Sequence, residues 1–249
     1  MATQQRAALV TGAAGGIGRA IACALAASGH RVAIADVDQA GLEGTAAAAR
    51  GDCEQLVLDV TDSAAVGAAV DRVCDRLGVP HVVVNAAGVS TMALLVDLSE
   101  RDWDAVMAVN IRGTFFLTQQ VGRHLIAAGS GGCVVNIAST HALAGTAERS
   151  TYGISKAALV GMTRMLAVEW AEYGIRVNAI APGRLETPSP SRAEKGADRG
   201  YMDTMLERIP LHRLASAEEV AATVAYLVSP AAASMTGQVL VLDGGLTAA

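Results

Sequence analysis

The sequence predicts a doubly wound α/β fold, a parallel sheet covered on both faces by helices. Three observations predict it. Seven apolar runs of strand length recur, at 7–11, 31–36, 55–60, 81–85, 132–139, 174–182 and 237–245. Each is rich in Val, Ile or Leu with little polar alternation, the mark of strands buried on both faces. Helix-favouring, Ala-rich stretches separate them, and that alternation implies right-handed strand–helix–strand crossovers. Finally, 52% of the 249 residues are hydrophobic but only 3% are aromatic, so the core must be aliphatic. The length suits one domain, 1–249.

Taken in order, "AALVT" (7–11) opens the sheet and runs into "TGAAGGIGRA", a glycine turn that starts a helix over Arg19–Ala27. Gly29 ends that helix as a C-terminal glycine. "RVAIAD" ends at Asp36, and "QLVLDV" (55–60) carries Asp59 at its end. Asp62 caps a helix over Ala64–Leu77. "HVVVN" leads into "NAAG" (85–88), and Trp103–Ala128 reads as one long helix. "GCVVNIAS" ends at Ser139, a helix follows over Tyr152–Tyr173, and "GIRVNAIAP" ends at Pro182. The polar, proline-bearing stretch 184–200 is too long and charged for a routine connection, which predicts a mobile substrate lid around 184–209. Ser216 and Glu219 form a capping box ahead of a helix over Ala217–Leu227. "GQVLVLDGG" closes the sheet.

Other classes find little support. The net charge is −5 with no basic arm or stripe, which argues against nucleic acid. No apolar run has the length of a membrane span. Met1–Arg6 is polar and leads straight into a strand, unlike a signal peptide, so a cytoplasmic protein is expected. Cys23, Cys53, Cys74 and Cys133 form no C-x-x-C pair and accompany no histidine cluster. They read as reduced, packed thiols, with no metal site.

The glycines at 12, 15, 16 and 18 follow a strand and open a helix. Glycine admits positive φ and lets backbone approach a pyrophosphate, while the helix N-terminus offers unpaired N–H groups. Asp36 ends the second strand, where a carboxylate accepts both hydroxyls of an adenosine ribose and repels a 2′-phosphate. Neither Gly15 nor Val37 supplies a cation to offset that repulsion, so NAD is expected rather than NADP. Asp59 is a candidate for the adenine amino group.

These pieces, with "DV" (59–60), "NAAG" (85–88), Asn110, Ser139, "YGISK" (152–156) and "PGRLETP" (182–188), resemble the classical short-chain dehydrogenase/reductase family over nearly the whole chain. The resemblance implies a Rossmann-type sheet of seven parallel strands, a nicotinamide cofactor and a homotetramer. It implies a catalytic tetrad of Asn110, Ser139, Tyr152 and Lys156. Around the cofactor it places Gly12, Gly15, Gly16, Ile17, Gly18, Asp36, Asp59, Val60, Asn85, Ala86, Gly88, Pro182, Gly183, Leu185 and Thr187, with Tyr152 and Lys156. Asn110 would interrupt the long helix and hold a water beside the lysine.

Tyr152 and Lys156 lie four apart, on one helical face. A phenol is a poor base at neutral pH, and a nearby ammonium and an oxidised nicotinamide ring both favour its phenolate. Tyr152 is thereby expected to exchange a proton with a secondary alcohol or ketone, with Ser139 donating to the substrate oxygen. The substrate side is assigned to 89–93, the stretch between Ser139 and Tyr152, and the lid. Their candidates are Ser90, Thr91, Thr140, His141, Glu148, Arg149, Arg184, Glu186 and Arg192. His141 reads equally as a pocket residue or a capped loop histidine, and Glu148 and Arg149 as substrate contacts or a surface pair. Polar groups without aromatics suggest a polyol, sugar or sugar acid. Two rivals stand: an NADPH-dependent 3-oxoacyl-carrier-protein reductase, opposed by Asp36, and a non-catalytic dinucleotide sensor, opposed by the intact tetrad.

Overall fold

The computed structural model describes residues 6–49, 53–185 and 204–248. Strands β1 (Ala7–Thr11), β2 (Arg31–Asp36), β3 (Glu54–Val57), β4 (Pro80–Asn85), β5 (Gly132–Ile137), β6 (Ile175–Pro182) and β7 (Val239–Leu242) form one sheet. Their order is β3-β2-β1-β4-β5-β6-β7, and every pairing is parallel. The helices are α1 (Gly16–Ala27), α2 (Gln39–Ala48), α3 (Ser63–Leu77), α4 (Glu100–Met107), α5 (Thr114–Ala128), α6 (Ser150–Glu169) and α7 (Ala217–Val228). Among the described residues no helix is long and apolar enough to cross a membrane.

Successive strand residues point to opposite faces, so the sheet feeds two aliphatic cores. On one face Ala8, Val10, Ile34, Val82, Val84 and Val135 pack with Ile21 and Leu25 of α1 and Val220, Val224 and Leu227 of α7. On the other, Leu9, Ala33, Val83, Val134 and Val177 pack with Val66 and Val70 of α3, Leu117 and Val121 of α5, and Leu166 of α6. Each fully buried Leu or Val contributes about 1.5–3 kcal/mol.

The caps hold as expected. Gly29 has φ 88°, its N–H bonds Ala26 O at 3.0 Å, and His30 N–H bonds Leu25 O at 3.1 Å. That pair of bonds is a Schellman ending. Asp62 caps α3 by accepting from Ala64 and Ala65 N–H. Ser216 and Glu219 close the capping box on α7.

Two elements differ from the sequence expectation, and one helix adds to it. β3 stops at Val57, so Asp59 lies beyond the strand rather than at its end. The segment 39–48 forms α2 despite two glycines, because Asp38 caps it and Leu42 and Thr45 are fully buried. The expected helix over Trp103–Ala128 is broken by a π-helical turn at Ala108–Gly113, with α4 before it and α5 after. An extra residue in one turn leaves the side-chain pattern nearly helical, so periodicity alone does not show it.

Candidate active site

Because the strands are parallel, their C-terminal ends lie along one edge. Strand order reverses between β1 and β4, the crevice where ligands of such sheets bind. The turn after β1, Asp36 at the end of β2, Gly88 after β4 and Ser139 after β5 converge there.

Gly12 leaves β1 with φ 65°, and a Cβ there would lie 2.6 Å from Ala87 N. Only glycine lets β1 and the segment after β4 come this close. Thr11 Oγ1 ties the same two segments by accepting from Ala87 N–H at 3.2 Å. Gly18 is buried against the Gly12 carbonyl. Gly15 and Gly16 are exposed, and a Cβ added at either would meet nothing within 4 Å. Ile17, in the first turn of α1, is half-buried and packs on the core. No side chain caps α1. The backbone at this helix N-terminus is thus open to a phosphate, and a dinucleotide fits it.

Asp36 is oriented by backbone. Its Oδ2 accepts from Ala14 N–H and its Oδ1 from Asp38 N–H, each at 3.1 Å. Asp59 is turned inward on its own loop, with Oδ1 accepting from Thr61 N–H at 2.9 Å and Thr61 Oγ1 at 2.8 Å. Val60 is 9% exposed and packs against the π-turn at Gly113. The Asn85 side chain does not face the crevice. Its Nδ2 donates to Asn136 Oδ1 at 2.8 Å and Thr118 Oγ1 at 2.9 Å, and Asn136 continues to Thr163. That buried chain joins β4 and β5 to α5 and α6. Beyond β4, Ala86 is half-buried and Gly88 exposed. Past Pro182, Gly183 N–H bonds Leu242 O at 2.9 Å, and Leu185 bridges Ala215. Thr187, Glu186 and Arg192 lie outside the described residues, as does much of the expected lid.

The four tetrad positions come together. Lys156 is 4% exposed, donates to Ile137 O at 2.8 Å, and its Nζ lies 5.6 Å from the Tyr152 ring centroid. Burial lowers its pKa to about 8. Asn110, on the π-turn, accepts from Val89 N–H at 2.8 Å and donates to Val89 O at 3.0 Å and Ser155 Oγ at 2.9 Å. It fastens the segment after β4 to α6. Gly88 keeps that approach open, since a Cβ there would lie 3.3 Å from both Asn110 Oδ1 and Lys156 Nζ. Ser139, 7% exposed, precedes a short 3-10 turn (Thr140–Ala142) and accepts from His141 N–H at 3.2 Å.

The expected lowering of Tyr152 does not hold in the protein's own field. Burial pushes its pKa up, while the Ser139 hydrogen bond and the Arg149 charge pull it down by less. Desolvation of the phenolate therefore outweighs the charges the chain supplies.

On the substrate side, His141 stands edge-on to Tyr152, with ring centroids 5.8 Å apart. Burial, then the Arg149 charge, lower its pKa, so it is neutral near pH 7. Arg149 is half-buried. Ala93 N–H bonds Glu148 O at 3.2 Å, which joins two of the three expected pocket segments, and Glu148 has φ 61°. Ser90 is exposed and Thr91 half-buried. Thr140, in the 3-10 turn, is 6% exposed, close to Ser139 at 7%. Arg184 is half-buried with Nη1 3.2 Å from Met205 Sδ. Val89, Met92 and Leu143 are exposed in the same segments, so the rim is more apolar than the sequence suggested. Sequence reasoning missed Ser155, which is fully buried and links Asn110 to the Tyr152 carbonyl at 2.7 Å. A small polar residue on the buried face of α6 was the available signal.

A family model described as enoyl-(acyl carrier protein) reductase matches residues 12–247. D-threitol dehydrogenase of Mycolicibacterium smegmatis is 42% identical over 243 residues, covering 96% of this chain and 92% of that protein. The 3-oxoacyl-acyl-carrier-protein reductase of Thermotoga maritima is 39% identical over 241 residues, 96% of each chain. A solved structure assigned as a short-chain alcohol dehydrogenase from Sinorhizobium meliloti 1021 aligns with TM-score 0.94 at 37% identity, covering 99% of this chain and 98% of that one.

Proposed function

The chain belongs to the short-chain dehydrogenase/reductase family, and on that premise we propose that it is an NAD(H)-dependent enzyme interconverting a secondary alcohol and a ketone. Its substrate is polar and hydroxylated: a polyol, sugar or sugar acid. The observation that carries this reading is the meeting of Ser139, Tyr152, Lys156 and Asn110 at the same sheet edge as the open glycine turn and Asp36.

When bound, a nicotinamide dinucleotide supplies the hydride donor or acceptor. The open backbone at Gly15 and Gly16 would hold its pyrophosphate, Asp36 its adenosine ribose and Lys156 its nicotinamide ribose. The protein's own groups handle the proton. Tyr152 takes the hydroxyl proton of the alcohol during oxidation and returns it during reduction. Ser139 Oγ–H donates to the substrate oxygen and stabilises its developing negative charge. Lys156, buried beside the ring, favours the phenolate whenever it carries its own proton. Asn110 holds the lysine's surroundings in place through Val89 and Ser155.

A polar substrate is supported by Arg149 and His141 beside Tyr152, and by similarity to a D-threitol dehydrogenase. Bidentate pairing with Arg149 favours a carboxylate-bearing member of the class. The competing reading, an NADPH-dependent carrier-protein reductase, has the Thermotoga relative in its favour. Asp36, with no cation beside it at Val37, opposes it. We infer a homotetramer as well, supported by the exposed Phe115, Met165 and Val168 on α5 and α6. The deciding experiment follows NADH and NADPH formation spectrophotometrically across polyols, sugar acids and cyclic alcohols, and oxidation of both cofactors with a 3-oxoacyl thioester. Turnover of polyols or hydroxy acids with NAD is expected. Turnover of the thioester alone with NADPH would replace this proposal with its rival.

A further inference from the structure

Arg19, one turn into α1, makes no ion pair among the described residues. Its guanidinium is spent on neutral groups around the glycine turn. Nε donates to Thr45 Oγ1 at 2.9 Å, and Nη2 donates to Ala14 O at 2.5 Å and Gly41 O at 3.3 Å. Thr45 is fully buried and passes the contact on, its Oγ1 donating to Ala13 O at 2.7 Å. Gly41 lets α2 press on the turn, since a Cβ there would lie 2.5 Å from Ala14 Cβ and 2.8 Å from Ala14 O. The carbonyls of Ala13 and Ala14 are therefore held from the side of α1 and α2. The N–H of Ala14 is held from the other side by Asp36 Oδ2.

The Ala13–Ala14 peptide thus connects Thr45 to Asp36, and Arg19 holds both Thr45 and the next carbonyl, that of Ala14. A carboxylate has about four acceptor directions. Asp36 uses one on Ala14 and one on Asp38, and the rest are aimed by those two bonds. If the turn shifts, the carboxylate shifts with it. The planar arginine fork fixes the turn at several points, which a single ammonium does not reproduce.

We propose that Arg19 is a positioning residue for cofactor choice: by clamping the 13–15 turn to α2 it holds Asp36, through Ala14, in the orientation that accepts ribose hydroxyls and excludes a 2′-phosphate. The inference rests on the NAD(H) reading above. It assigns the clamp a selective role, beyond support of the fold.

The test is binding, read without turnover. NADH and NADPH dissociation constants are measured by calorimetry for the wild type, Arg19→Met, Arg19→Lys and Thr45→Val. Arg19→Met should weaken NADH about tenfold and NADPH much less, so that selectivity contracts about tenfold. NADPH escapes because its 2′-phosphate never used the Asp36 acceptor geometry. Arg19→Lys should recover part of the selectivity. Thr45→Val removes both the acceptor for Nε and the donor to Ala13 at nearly constant volume, and carries the same test if Arg19→Met does not fold. Parallel weakening of both cofactors would reduce Arg19 to fold support and overturn the proposal. A larger loss for NADPH would make Arg19 a phosphate ligand and overturn it too. A wild type without NADH preference sinks the NAD(H) reading itself, whereas a wild-type preference left unmoved by the variants sinks the Arg19 role alone.

Discussion

Replacing Lys156 with methionine should make the protein more stable while destroying its activity. Lys156 is 4% exposed, and burial alone takes its pKa from 10.5 to about 8. Such a shift corresponds to about 3 kcal/mol of unfavourable charge burial when the group is protonated in both states. The hydrogen bond from Nζ to Ile137 O returns about 1 kcal/mol. Methionine keeps the apolar stem, so Lys156→Met should stabilise the cofactor-free protein by about 2 kcal/mol at pH 7. The pH dependence gives the sign. Below the folded pKa both states are protonated and the burial penalty is complete. Between about 8 and 10.5 the unfolded chain binds more protons than the folded one, so wild-type stability gains as pH rises. The advantage of the variant should therefore shrink through that window. Urea unfolding of both proteins at several pH values measures it, and comparing them cancels the other titrating groups. A destabilised variant at pH 7, or a gap that does not move with pH, would refute the reasoning.

Three further outcomes are expected. Tyr152→Phe should lower kcat by orders of magnitude while the NADH dissociation constant stays within about twofold, checked by steady-state kinetics and calorimetry. Arg149→Ala should raise KM for a sugar acid by about tenfold and for the matching neutral polyol much less, because it loses a charge-assisted pair. Asn110→Leu should reduce unfolding free energy by about 2–4 kcal/mol, since Ser155 Oγ loses a buried donor and both polar groups of Val89 lose their partner; urea melts read the change.

The strands were legible because a strand covered on both faces has to be apolar throughout, and no other short element imposes that rule. The pairing of Tyr152 with Lys156 was legible because helical spacing is fixed by backbone geometry. What escaped the sequence was decided by neighbours far along the chain. The π-turn at 108–113 changes backbone hydrogen bonds while leaving side-chain order nearly helical. Asn85 and Asn136 sit in strand sequences like polar accidents, yet they are adjacent across β4 and β5, and Asn85 Nδ2 donates to Asn136 Oδ1. Thr140 and His141 are consecutive, and only the short turn after Ser139 determines that one is buried and the other meets Tyr152.

The Tyr152 pKa shows most clearly why local sequence was not enough. Its sign depends on two opposed effects, and sequence reveals only one. A lysine four residues away is visible in the string, and it argues for a lower value. The burial that argues for a higher one is built by residues from several elements. That same burial depresses Lys156 toward neutrality, which weakens the ammonium that was to favour the phenolate. The enclosure therefore acts against both members of the pair in their charged forms. Against this the Ser139 hydrogen bond and the Arg149 charge pull the Tyr152 value down, and neither prevails. On the proposed mechanism a proton-accepting Tyr152 thus depends on an added positive charge or on the reacting oxygen itself. On that mechanism the phenol would stay neutral in the resting protein and would act as a base only once substrate and cofactor are assembled.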